Sequence, residues 1–226
     1  MKRLTYTFDN GPWPGATDKL LDFLKERAIQ ATFFVVGERL KDPAARRLAD
    51  RAHAEGHWIG NHTLTHGDPL GMGGGLERVR KEVGETEELL GSLAHPRKYF
   101  RPNGGGTLGS HVLSPEAVDY LTDQRYTVVT WNNVPRDWDE TRAGWPDRAE
   151  ATLETQDWSV LVLHDQFIAP MMTSLEDFHD RLVAQSLEIV QEFPESCLPI
   201  REGRVVRDIS GLVSQEPGPT LKGAFA

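Results

Sequence analysis

A chain of 226 residues suits one domain. Its 38% hydrophobic and 26% charged residues are ordinary for a soluble globular protein and unlike a fibre or a disordered segment. The net charge of −9 argues against nucleic acid as the main partner and is compatible with a neutral sugar or a small amide. No run approaches the roughly 18 apolar residues of a membrane span, and residues 4–8 are too short and too polar for a signal-peptide core. The expected location is therefore the cytoplasm, with no membrane partner.

Along the chain, short apolar runs alternate with amphipathic, charge-rich stretches. Strands are predicted at 5–8, 31–36, 58–60, 99–101, 126–131 and 160–163, with a weaker one near Val205. Helices are predicted at 18–27, 43–55, 76–90 and 175–193. The first carries Leu20, Leu21 and Leu24 on one face, and the second opens on Pro43 and stops at Gly56. Cys197, the only cysteine, permits no internal disulfide and reads as an inert thiol. The glycine runs 71–75 and 104–106 read as loops, with neither the lysine nor the spacing of a phosphate-binding loop. The tail after about residue 207, with Pro217 and Pro219, is expected to be loosely ordered.

Strand–helix alternation across one chain implies parallel strands with right-handed crossovers. With no nucleotide-binding glycine fingerprint after the first strand, a single distorted (β/α) barrel over 1–226 is the expected fold. Its chemistry would lie at the C-terminal strand ends. Asp9, His62, Arg101, Trp131 and His164 each follow or end a predicted strand.

Taken singly, these residues have plain structural readings. An Asp before Asn-Gly-Pro is commonly a turn residue, and a lone His after an apolar strand is commonly packed in a core. His53, His57, His95, His111 and His179 have no company of their own and are expected at the surface. Five segments occurring together carry the functional argument. They are Thr7-Phe8-Asp9-Asn10-Gly11-Pro12; His62-Thr63-Leu64-Thr65-His66; Phe100-Arg101-Pro102-Asn103-Gly104-Gly105; Trp131 to Asp137-Trp138; and Leu161-Val162-Leu163-His164-Asp165.

In this order the segments resemble the polysaccharide deacetylase (NodB-homology) family, whose members remove acetyl groups from chitin, peptidoglycan and related glycans. The resemblance implies a role for each matching residue. Asp9 would be the general base and Arg101 would hold it. His62, His66 and Asn10 would ligate a divalent metal, zinc or else cobalt or nickel. Gly104 would meet the oxyanion through its backbone N–H, His164 would be the general acid with Asp137 behind it, and Trp138 and Val162 would wall the acetyl methyl. Five positions depart from the family pattern: Asn10 stands for a metal-binding Asp, Asn103 for a Pro, Gly104 for a Tyr, Val134 for an Asp and Val162 for a Leu.

Amide hydrolysis needs an activated water, a sink for developing negative charge and an acid for the departing amine. The expected activity is removal of an acetyl group from an N-acetylated sugar or oligosaccharide, with cell-wall peptidoglycan disfavoured by the cytoplasmic expectation. A neutral Asn10 leaves two other readings open: a metal-independent hydrolase of small linear or cyclic amides, or a silent glycan-binding domain.

Overall fold

Strand β1 (Arg3–Asp9) is buried along its length after Arg3, as a strand covered on both faces must be. The computed structural model describes residues 2–215, and in it β1 pairs with three other strands. On one side it pairs in parallel with β6 (Trp158–His164); on the other it pairs with β2 (Thr32–Val35). The parallel order continues through β3 (Trp58–Asn61), β4 (Tyr99–Phe100) and β5 (Thr127–Val128). Beyond β1 in the chain, β7 (Glu188–Ile189) returns to lie beside Arg3 and Leu4, while β8 (Ile200–Arg201) and β9 (Arg204–Val205) add an antiparallel edge to β5.

The sheet curls into a distorted barrel whose seam between β5 and β6 is held by little backbone. One parallel bridge joins Asn133 to Leu161. The Asn132 side chain supplements it, accepting from the Val160 N–H and donating to the Trp158 carbonyl. The predicted strand 126–131 is cut short here because the Thr130 N–H turns to the Cys197 carbonyl, 2.9 Å away, and leaves the ladder.

Helix Thr17–Glu26 buries Leu20, Leu21, Phe23 and Leu24 against the sheet, each worth roughly 1.5–3 kcal/mol of transfer free energy. Helix Pro43–Ala54 starts under an Asp42 cap, whose carboxylate accepts the Ala44 N–H. The stretch predicted as one helix at 76–90 is two segments, Gly75–Val79 and Glu85–Leu90, joined by a π-turn at Arg80–Gly84. Gly75 is thus helical, and Leu70–Met72 forms a 3₁₀ turn, so the run 71–75 is only partly a loop. The helix predicted to reach 193 spans Met172–Ala184 and stops where Ser186 adopts a left-handed φ of 56°, freeing the chain to pair with β1. Helices Pro115–Asp123 and Trp145–Thr155 were not predicted.

Two further expectations are corrected. His57 and His179 are buried: His57 Nδ1 accepts the Ala31 N–H, and His179 meets the Phe23 ring edge-on with Nδ1 near the Tyr6 hydroxyl. The tail is tied down as far as Ser214, because residues 212–214 exchange backbone hydrogen bonds with Leu113; the remainder of the tail, from residue 216, lies outside the described residues. Among the described residues no helix is long and apolar enough to cross a membrane.

Candidate functional site

Parallel register places the C-terminal ends of the strands side by side. Asp9 at the end of β1 is in register with His164 at the end of β6, and Asn61 at the end of β3 with Phe100 in β4. The side chains that follow open into a cleft of about 360 Å³. It is lined by Asp9, Asn10, His62, His66, Gly104, Trp138, Val162 and His164 among the predicted residues. Arg101 and Asp137 do not line it. Both are fully buried behind the residues they serve.

Arg101 Nη1 donates to Asp9 Oδ1 at 2.9 Å and to Thr7 Oγ1 at 2.7 Å, and the guanidinium lies 4.0 Å from the Phe34 ring centre. The bond fixes the Asp9 carboxylate, leaving Oδ2 3.6 Å from His62 Nε2. The His62 Nδ1 is 2.7 Å from the Arg101 carbonyl. Only an N–H can make that bond, so Nε2 carries the lone pair toward the cleft. Burial pushes the His62 imidazole down to a pKa of about 3, and burial with the neighbouring imidazole does the same for His66. Both rings are neutral at physiological pH, with centroids 4.9 Å apart.

On the far side, Asp137 holds His164 twice. Oδ1 accepts from Nδ1 and Oδ2 from the His164 backbone N–H, both at 2.8 Å. Burial alone would lower the His164 pKa. The Asp137 bond and charge, with those of Asp9 and Asp165, outweigh it and hold the imidazole above its ordinary value. Trp138 meets the His164 ring edge-on at 4.9 Å. The loop carrying Asp137 is clamped from helix Trp145–Thr155, where Arg148 donates to the carbonyls of Pro135, Arg136 and Thr141.

The departures at Gly104 and Val134 have a physical reason. A Cβ at Gly104 would stand 2.6 Å from the Thr107 carbonyl oxygen and 2.7 Å from Trp131 Cη2, so the indole occupies the space a side chain would need. Val134 lines the cleft as apolar wall. Sequence reading gave no role to Phe167 or Gln166, which also line it. Nor did it find Asp165, whose buried carboxyl is pushed up to about 6 by burial and is bonded to Thr17. Its adjacency to His164 was the available signal.

Whether these residues suit a metal turns on Asn10. Among the described residues no group of three His, Cys, Asp or Glu side chains is placed to hold an ion, and the Asn10 amide lines the same cleft as the imidazoles. Asn10 Oδ1 is buried without a hydrogen-bond partner, a costly state for an amide oxygen that coordination would relieve. Its backbone is left-handed, φ 71°, with the carbonyl held by Arg39 Nε. Two neutral imidazoles and this oxygen fit a divalent cation.

Two imidazoles and a buried amide oxygen thus share one cleft with a fixed carboxylate and a third imidazole, at the carboxyl end of a distorted (β/α) barrel. Residues 1–139 match the polysaccharide deacetylase family. A chitooligosaccharide deacetylase of Rhizobium leguminosarum bv. trifolii is 34% identical over 171 residues, 73% of this chain and 72% of its own length. Among solved structures, a peptidoglycan N-acetylglucosamine deacetylase superposes with a TM-score of 0.65 at 27% identity, covering 89% of this chain and 90% of its own. A family 4 acetyl xylan esterase from Clostridium thermocellum, solved with a cobalt ion, superposes at 0.67 and 24% identity, over 84% and 88%. The chain belongs to the polysaccharide deacetylase family.

Proposed function

We propose that this protein removes an acetyl group from an N-acetylated sugar or oligosaccharide by metal-assisted attack of water. The observation that carries the reading is the pairing of two supported groups across one cleft: Asp9 fixed by Arg101 and His164 fixed by Asp137. A divalent cation, with zinc, cobalt and nickel the fitting choices, would be held by His62, His66 and Asn10, and would polarise the acetyl oxygen and acidify water. Asp9 accepts the water's proton as general base. The Gly104 N–H takes the oxyanion. His164, kept protonated by Asp137, gives its Nε2 proton to the departing amine, and Trp138 and Val162 enclose the methyl.

The test is hydrolysis of a panel of N-acetylated oligosaccharides, acetyl esters and cyclic imides by protein purified without chelator. Metal content is measured in parallel. Asp9→Asn and His164→Ala should each slow turnover roughly 10²- to 10⁴-fold. Asp9→Asn also strands a buried guanidinium, at a cost of about 3–5 kcal/mol, so its unfolding midpoint is read alongside and His164→Ala bears the weight. A wild type that binds glycan and hydrolyses nothing sinks the proposal. The neutral Asn10 favours a second reading, a metal-independent hydrolase of small amides; full activity after chelation would select it.

A further inference from the structure

The loop bearing both imidazoles rests on a buried carboxylate outside the site. Glu82 is only 7% exposed, and among the described residues no lysine, arginine or histidine forms an ion pair with it. Its partners are all in the loop. Oε2 accepts the N–H of Leu64 and of Thr65, both at 3.0 Å, and Oε1 accepts the Thr65 hydroxyl at 2.9 Å. An anion out of water is stable only when donors replace its hydration, and here the loop supplies them.

That loop needs holding. Thr63 and His66 are non-glycine residues in the left-handed region, φ 68° and 53°, a conformation disfavoured without support. Asn61 Oδ1 takes the Thr63 N–H and Thr63 Oγ1 takes the His66 N–H. Glu82 takes the two amides between them. It sits on the π-turn Arg80–Gly84, which also presents the Val83 carbonyl to Asn61 Nδ2 at 2.9 Å. A π-turn inside a helix costs regular hydrogen bonds and is commonly kept for function.

We infer that Glu82 is the positioning residue of the His62–His66 pair, its two oxygens fixing the backbone that sets the imidazole spacing. A leucine cannot substitute, because it offers the two amides no acceptor, whereas a glutamine can keep the pattern by taking both amides on Oε1 and donating Nε2–H to the Thr65 hydroxyl. The effect on metal rests on the metal reading above; the effect on the loop does not.

The test uses the full chain with Glu82→Leu, and with Thr65→Val, which removes one donor and leaves the carboxylate in place. Three quantities are read: amide exchange at Leu64 and Thr65, ring nitrogen shifts of His62 and His66 without metal, and zinc affinity by calorimetry. Glu82→Leu should speed exchange at both amides at least tenfold relative to Phe33 and Leu161, move both ring signals, and weaken zinc 10- to 100-fold, as loss of outer-shell partners does. Thr65→Val should change each in the same direction by less. Unmoved ring signals, or unchanged zinc affinity beside a wild type that binds, overturn the inference. If the wild type binds no zinc, the metal reading fails on its own, and the ring signals decide for or against Glu82.

Discussion

At the scale of single residues, the site is two carboxylates doing different work. Asp9 faces the cleft, whereas Asp137 acts only through His164. Asp137→Asn should lower the His164 pKa, since it removes the bond and charge that outweigh burial. A general acid must be protonated, so the alkaline limb of kcat against pH should move toward neutrality while KM changes little. An unmoved limb would mean that the pair does not donate the proton. Asn10→Asp adds a charge to a donor set that is otherwise neutral, and should tighten zinc by about 10- to 100-fold, read by calorimetry. Equal affinities would remove Asn10 from the ligand set. These residues were legible in sequence because they follow strand ends in fixed segments. Glu82 and Asp165 were not, since each bonds across elements, Glu82 to the Leu64 and Thr65 amides and Asp165 to the Thr17 hydroxyl, and spacing does not reveal such partners.

At the scale of elements, apolar spacing found the central strands and the longer helices. It missed helices Pro115–Asp123 and Trp145–Thr155, whose starts were marked by Ser114-Pro115 and Trp145-Pro146. It overran β5 and the Met172 helix because hydrogen bonds to Cys197 and to β1, both distant in sequence, decide where those elements stop. The loop after β4 carries an element-scale prediction. With no room at Gly104 for a Cβ beside Trp131 and Thr107, Gly104→Ala should cost about 1–3 kcal/mol, the range for overpacking. A denaturant midpoint would show it, and Trp131 should shift in fluorescence. Wild-type stability and emission would mean the loop yields freely.

Over the whole molecule, histidines away from the site set a pH dependence. His57 and His95 are held by burial near 4, against an ordinary 6.5. Between those values the unfolded chain binds protons that the native chain does not, so stability falls as pH drops through the window. His164 has the opposite sign: its contribution is fully present below 6.5 and is lost as pH rises through its raised native pKa. Thermal midpoints should therefore fall on both sides of neutrality. His57→Gln, whose amide nitrogen cannot take the Ala31 N–H that Nδ1 accepts but whose oxygen can, should flatten the acid side; an unchanged slope would exclude His57.

The pairing of β1 with three other strands has a further consequence, for the order in which the protein can be made. β1 is made long before it is enclosed, because its neighbour β6 and the returning β7 come from residues 158–189. Asp9 waits for Arg101, some ninety residues later, and then for His164 beside it in the sheet. The two halves of the proposed proton path are therefore brought together only after β6 has been made, and a nascent chain stalled before β6 would hold every proposed cation ligand and none of the acid.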